Sequence, residues 1–155
     1  MDNYTQNGGE DKMQVLSVFL GEHTLGIPVE EIQDILNPLK MTSVPLANSY
    51  VKGICNLRGR ILTTLDLKKL LQQNSEADEN SMNVVAEDNG ELYSLLVDRV
   101  GDVLTLDNSK IEPPPFTLEE SLKAVTKGVF QLDDSIVIIL NINHIIQNVS
   151  KEEAI

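Results

Sequence analysis

The chain has few of the side chains from which disulfides, metal sites and aromatic clusters are built. Its 155 residues include one cysteine, two histidines, three tyrosines, three phenylalanines and no tryptophan. A lone cysteine cannot form an internal disulfide, which is typical of a protein from a reducing compartment. The histidines, His23 and His144, do not have the spacing of a metal-binding pair. We therefore expect neither a metal site nor a cofactor.

Basic residues are also scarce. Lys and Arg number 12 against 24 Asp and Glu, so the formal net charge is −12. This charge repels phosphate backbones and anionic lipid, so nucleic acid and membrane surfaces are not expected as direct partners. The longest apolar run, residues 136–140, is far too short to span a bilayer. Residues 1–12 are polar and do not resemble a signal peptide, and we predict that they form the disordered tail of a cytoplasmic protein.

What the chain does have is an internal repeat. Residues 51–71 align with residues 126–146 at a spacing of 75 (126 − 51), and apolar positions agree almost throughout. The identical pairs are Lys52/Lys127, Gly53/Gly128, Leu57/Leu132, Ile61/Ile136 and Leu65/Leu140. Each copy has the pattern of a β-hairpin followed by a short helix, which is a packing unit and not a reaction centre. The repeated glycine is expected to allow a bulge or a close backbone approach.

The remainder of each half repeats as well. Residues 30–38 align with residues 98–106 at a spacing of 68 (98 − 30), and a polar linker, residues 73–81, separates the halves 15–72 and 82–147. We predict one domain over residues 13–150, with about five short strands and one short helix in each half. The predicted class is all-β with a few short helices, in two five-stranded β-barrel subdomains sharing a central hydrophobic core, since short strands close most easily into small barrels. Residues 135–142 are apolar on both faces and should lie at the centre, between the barrels.

Candidate catalytic groups have simpler structural explanations. Cys55 aligns with Phe130 in the other copy, and a position that accepts Phe is a packing position and not a nucleophile. The acidic pair Asp133 and Asp134 falls in a turn without the spacing of a calcium loop, and there is no glycine-rich phosphate loop. We therefore predict that the protein is not an enzyme.

The turn of the first hairpin carries a residue that its geometry does not require. A two-residue hairpin turn needs positive φ, which Gly59 supplies and Asp134 can supply in the second copy. Arg58 is not required, and its counterpart, Asp133, has the opposite charge. Arg58 is then either an exposed residue that offsets the acidic surface or a guanidinium that pairs with a carboxylate of a partner.

These blocks of sequence resemble the CheW family of bacterial chemotaxis adaptors. The resemblance rests on G-I-P-V-E-E-I-Q-D-I-L, V-K-G-I-C-N-L-R-G-R-I-L-T-T-L-D-L and L-V-D-R-V-G-D-V-L in this order, and it runs over residues 15–147. It implies two five-stranded, SH3-like barrels around a common core. It also implies a non-enzymatic adaptor that couples transmembrane chemoreceptors to the histidine kinase CheA, as a cytoplasmic protein recruited to membrane receptor arrays.

The resemblance further implies two contact surfaces. A groove between the halves would bind the cytoplasmic tip of the chemoreceptors (methyl-accepting chemotaxis proteins), through Ile32, Gly53, Arg58, Gly59, Met82 and Val100. The regulatory, CheW-like domain of CheA would contact Glu30, Asp34, Ile54 and Ile61. The sequence departs from the family pattern at Thr63 and Thr64, where an apolar residue and a proline are usual, and the departure restores a backbone donor in that strand.

Two other functions remain open at this level. One is a CheW-like scaffold of another sensory system, such as pilus motility or a regulatory kinase cascade, which the identity of the bound kinase would reveal. The other is a small-ligand-binding β-barrel protein, which would need polar groups that converge between the halves.

Overall fold

The computed structural model describes residues 11–153, and the side chains of residues 11–149. The strands are β1 (Lys12–Leu20), β2 (His23–Pro28), β3 (Asp34–Leu36), β4 (Val51–Leu57), β5 (Arg60–Asp66), β6 (Met82–Asp88), β7 (Glu91–Val97), β8 (Arg99–Asp107), β9 (Thr126–Gln131) and β10 (Ile136–Leu140). Each half therefore contains five strands, as predicted. Most of the predicted tail lies outside the described residues, but Lys12 already belongs to β1, where it pairs with Asp107.

Three α-helices complete the fold: α1 (Leu67–Leu70), α2 (Glu120–Lys123) and α3 (Ile142–Glu153), with 3-10 turns at Val29–Glu31 and Asn108–Lys110. The second half has an additional helix, α2, in its longer connecting loop. The helix caps repeat with the sequence: the side chain of Asp66 accepts a hydrogen bond from the backbone of α1, and that of Asn141 accepts one from the backbone of α3. Over residues 11–153 no helix has the length and apolar character that crossing a bilayer demands.

The ten strands form two five-stranded sheets, and each sheet takes strands from both halves of the sequence. The first barrel has the strand order β8-β1-β2-β10-β9, and the second has the order β3-β6-β7-β5-β4. The chain therefore crosses from the first barrel to the second after β2 and returns after β7. The halves of the repeat are not the two barrels, and residues 73–81 connect α1 to β6 within the second barrel. Each sheet keeps two edge strands, so both barrels are open along one side.

The buried apolar side chains form one large cluster between the sheets and a small cluster on the far face of each sheet. The shared cluster includes Val18, Leu25, Leu65, Leu95, Ile138 and Leu140. The small clusters are Val15, Leu106 and Ile139 in the first barrel and Leu62, Val85 and Leu92 in the second. Strand β10 contributes to both sides of its sheet, so it is buried on both faces as predicted. The predicted class, all-β with a few short helices in two five-stranded units around a shared core, is confirmed.

Candidate functional site

The β4–β5 hairpin turns at two residues that both have positive φ. The values are +51° at Arg58 and +86° at Gly59, the left-handed pair of a type I′ turn. The sequence predicts this conformation for Gly59 but not for Arg58. The β6–β7 hairpin makes the same turn with Asn89 at +51° and Gly90 at +83°, the residue types that tolerate it best. Arg58 therefore stands where a long side chain costs about 1 kcal/mol of backbone strain, and such strain is common at functional sites.

Arg58 pairs with a carboxylate on the opposite edge of the second barrel. Its Nη2 lies 2.7 Å from Oδ2 of Asp34, the first residue of the edge strand β3. The two side chains are 65% and 38% exposed, so the ion pair is open to solvent and adds little stability. Its hydrogen bond to Asp34, with a second from the backbone N–H of Ile35, lowers the pKa of that carboxyl below its usual range. One residue of each predicted contact set thus lies on the same surface.

Three predicted groove residues, Ile32, Met82 and Val100, lie at the border of the core between the barrels. All three are half-buried and pack against the shared cluster. Ile32 lies in the first crossing between the barrels, and Val100 follows the second crossing. The structure therefore brings these apolar side chains to the seam between the two barrels, which is where the resemblance expects the receptor groove.

Gly53 has a structural reason to be glycine. A Cβ atom on Gly53 would lie 2.7 Å from the carbonyl oxygen of Thr42, because Thr42 pairs with the next residue of β4, Ile54, in an antiparallel bridge. Gly128 repeats this arrangement, since its Cβ would lie 2.8 Å from the carbonyl oxygen of Glu112. The predicted close backbone approach is thus confirmed in both copies. Gly53 is buried, so it shapes the surface above it through the position of this segment.

The predicted kinase-contact residues of the hairpin lie on one of its faces. Ile54 and Ile61 share one face of β4 and β5, while Cys55 and Leu62 lie on the other face, in the small cluster of the second barrel. Ile61 is 59% exposed and Ile54 is half-buried. Glu30 is exposed in the 3-10 turn of the first crossing. Burial raises the pKa of the Cys55 thiol, in keeping with a packing role for this residue.

The cavities near the hairpin are small. A cleft of about 270 Å³ at the mouth of the second barrel is lined by Gln33, Asp34, Leu57, Arg58, Arg60, Val85 and Leu92. It can receive a side chain of a partner but is below the usual size of a small-molecule site. A larger cavity, of about 590 Å³, lies in the first barrel and contains none of the ten predicted site residues. In the part of the chain that the structure describes, no three His, Cys, Asp or Glu side chains are grouped to hold a metal.

Fold and site together define a double-barrel interaction module, with a charged hairpin tip on the second barrel and apolar side chains at the seam between the barrels. Comparison with known proteins gives the family. The CheW-like domain matches residues 14–150. The chemotaxis protein CheW of Klebsiella aerogenes is 30% identical over 143 residues, which cover 90% of this chain and 86% of the relative. That of Helicobacter pylori is 26% identical over 143 residues, covering 92% and 86%. The chain belongs to the CheW-like family of chemotaxis coupling adaptors.

A solved structure agrees with this assignment. The crystal structure of the scaffolding protein TtCheW from Thermoanaerobacter tengcongensis superposes with a TM-score of 0.73 at 28% identity, covering 83% of each chain. Protein PilI of Pseudomonas aeruginosa is also similar, with 28% identity over 106 residues, which cover 66% of this chain and 58% of the relative.

Sequence reasoning selected both Arg58 and Asp34 but missed that they touch. They are 24 residues apart. Arg58 lies in the β4–β5 turn and Asp34 in β3, and β3 does not pair with β4 or β5, so no periodicity in the sequence connects the two residues. It also missed Ile35, which is 40% exposed in the edge strand β3. The sequence does not show that β3 is an edge strand, so it does not predict that the side chain of Ile35 is exposed.

Proposed function

We propose that this protein is a non-enzymatic, cytoplasmic adaptor that couples chemoreceptors to the histidine kinase CheA at membrane receptor arrays. The observation that carries the proposal is the hairpin tip. An exposed guanidinium is held in a strained turn of the second barrel by a single solvent-exposed carboxylate. Because such an exposed pair is weak, Arg58 can exchange the carboxylate of Asp34 for one on a partner at little cost.

The seam suits a receptor helix. Ile32, Met82 and Val100 offer half-buried apolar side chains at the border of the shared core, and Arg58 adds a cation at the hairpin tip. An amphipathic helix from the receptor tip would place its apolar stripe on the seam and an acidic side chain at Arg58. Gly53 and Gly59 act through the backbone, since one lets Thr42 pair closely with β4 and the other makes the turn.

The face of the hairpin that carries Ile54 and Ile61 suits a kinase domain. Ile61 is exposed on a rigid pair of strands, with Ile54 next to it on the same face, and Asp34 lies at the neighbouring edge. The exposed Glu30 extends this set along the first crossing. A regulatory domain of the same fold would pack barrel against barrel here. Two modest contacts in one assembly reinforce each other through effective concentration.

The test is a comparison of two arginines on the same hairpin. Arg58→Ala should weaken binding of a purified receptor-tip fragment about tenfold or more, as expected for a central charged anchor. Arg60→Ala is the matched control, because Arg60 is also exposed and bonds within the barrel to the carbonyl of Gly90 at 2.7 Å. Calorimetry with the fragment and with CheA measures both affinities, and circular dichroism confirms folding. Equal affinity of Arg58→Ala and the natural protein for the receptor tip would refute the proposed role.

A second candidate function is the coupling of receptors to a sensory kinase other than CheA. The similarity to PilI over 106 residues favours it. The same module would then couple another receptor to another kinase through the same surfaces. Binding assays against each histidine kinase that carries a CheW-like domain in the source organism would separate the two: preference for a kinase other than CheA would support the second candidate.

A further inference from the structure

Each crossing between the barrels carries a carboxylate in an ion pair that has one largely buried partner. Within residues 11–153 the chain changes barrels twice, between β2 and β3 and between β7 and β8. Glu31 lies in the first crossing and Asp98 in the second. Neither residue belongs to the contact surfaces proposed above, so those surfaces do not explain why each of the two carboxylates forms an ion pair with a lysine.

Asp98 joins both barrels through one carboxylate. Its Oδ2 accepts a hydrogen bond of 2.8 Å from the backbone N–H of Gly21, in the β1–β2 turn of the first barrel. Its Oδ1 lies 2.9 Å from Nζ of Lys68 in α1, the helix that follows β5 of the second barrel. The side chain of Lys68 is only 12% exposed. The carboxylate of Asp98 thus faces a largely buried lysine side chain of the second barrel.

Glu31 holds the first crossing in a similar way. Its Oε2 lies 2.9 Å from Nζ of Lys127 in β9, an edge strand of the first barrel, and its side chain is 10% exposed. The other carboxylate oxygen, Oε1, is buried and has no hydrogen-bond partner among the described residues. The buried charge of Glu31 is therefore compensated by Lys127 alone. This pair fixes the 3-10 turn that leads into β3 against the first barrel.

The crossings also carry two residues of the seam. Ile32 follows Glu31 directly, and Val100 lies two residues after Asp98, both half-buried against the shared core. We propose that Glu31 and Asp98 are positioning residues, which fix the angle between the barrels and thereby the spacing of Ile32 and Val100. The effect on partner binding rests on the proposed function, but the angle itself can be measured without any partner.

The angle between the barrels is followed through the distance between two spin labels, measured by double electron–electron resonance. Cys55 is replaced by alanine so that only the introduced cysteines carry labels. One label is placed at exposed Thr105 of β8, in the first barrel, and the other at exposed Ser75, after α1 of the second barrel. Lys68→Met and Lys127→Met should each broaden the distance distribution, because each releases one crossing. Labels at Thr105 and Gln131, both in the first barrel, should keep their distribution in every variant.

The matched control is the next residue of the same helix. Lys69 pairs with Glu76 at 3.1 Å, but the side chains are 37% and 60% exposed and both lie on the second-barrel side. Lys69→Met should leave the distribution between Thr105 and Ser75 unchanged. The exchange of Glu31→Lys with Lys127→Glu restores the pair with reversed charge and should narrow the distribution again.

Narrow distributions in both Lys68→Met and Lys127→Met would overturn the inference. Should Lys68→Met fail to fold, Asp98→Asn replaces it, because it keeps an oxygen for Gly21 while losing the charge. In the broadened variants, receptor-tip affinity should fall about tenfold, a common size for coupling between separate sites. Broadening with unchanged affinity would overturn the link to Ile32 and Val100. If the natural protein binds no receptor tip, the proposed function fails while the distance measurement still decides the inference.

Discussion

Exchanging the residues of two matched turns measures the cost of keeping an arginine at the hairpin tip. Arg58 and Asn89 have the same φ of +51°, and each is followed by a glycine near +85° (+86° and +83°). A Cβ placed on either glycine would meet no atom within 4 Å, so both turns project into open space. The backbone preference of the residue therefore decides the energy. Arg58→Asn should raise the free energy of unfolding by about 1 kcal/mol, and Asn89→Arg should lower it by about the same amount.

The ion pair of Arg58 is kept out of this measurement by using Asp34→Asn as the parent protein. Urea unfolding followed by circular dichroism gives the free energies, and an unchanged m-value shows that the unfolded state is not affected. A change of about 1 kcal/mol corresponds to about 2–4 °C in the melting temperature of a chain of this size. The same Arg58→Asn substitution should weaken receptor-tip binding, so that the more stable protein is the poorer adaptor. Destabilisation by Arg58→Asn in this parent would refute the strain argument.

Three further changes test the interior and the charges. Gly53→Ala should lower the free energy of unfolding by about 2 kcal/mol in urea titrations, because its Cβ would stand 2.7 Å from the carbonyl oxygen of Thr42. Thr64→Val should raise the free energy of unfolding by about 1 kcal/mol, because the Thr64 hydroxyl is buried without a hydrogen-bond partner among the described residues. Ser94→Ala is the control and should lower the free energy of unfolding, because the Ser94 hydroxyl donates a buried hydrogen bond of 2.7 Å to Asn83. The pKa of Asp34, followed by NMR, should lie below that of an unfolded peptide and rise when Arg58 is replaced by alanine. Because the folded-state pKa is the lower one, the ionised carboxylate stabilises the fold at any pH above the unfolded-state pKa. This stabilisation is lost as the pH falls through the folded-state pKa.

The sequence pattern predicts local structure well because local structure follows from nearest neighbours along the chain. The repeat predicts about five strands in each half and a short helix after each hairpin, and the doubly apolar run predicts that β10 is buried on both faces. The contact between Arg58 and Asp34 is beyond such reasoning, because it depends on how far the second sheet curls before its edges meet. The φ of Arg58 is missed for a different reason. Turn statistics place asparagine or glycine there, and a partner contact has no local signature.

The repeat explains why the seam between the barrels is a stable place for a partner. Strand β2 pairs in parallel with β10 in the first barrel, and β7 pairs in parallel with β5 in the second. Under the repeat, β7 corresponds to β2 and β10 to β5, so each barrel joins the hairpin of one half to a strand of the other half. Neither half contains a complete barrel: residues 15–72 lack β8, β9 and β10 of the first and β6 and β7 of the second. Each barrel is therefore complete only with strands from both halves, and within residues 11–153 the two crossings are the segments that connect the barrels. Under the proposed function, a partner that lies across the seam would contact Ile32 in the first crossing and Val100 next to the second, which would pass a change in one partner to the other.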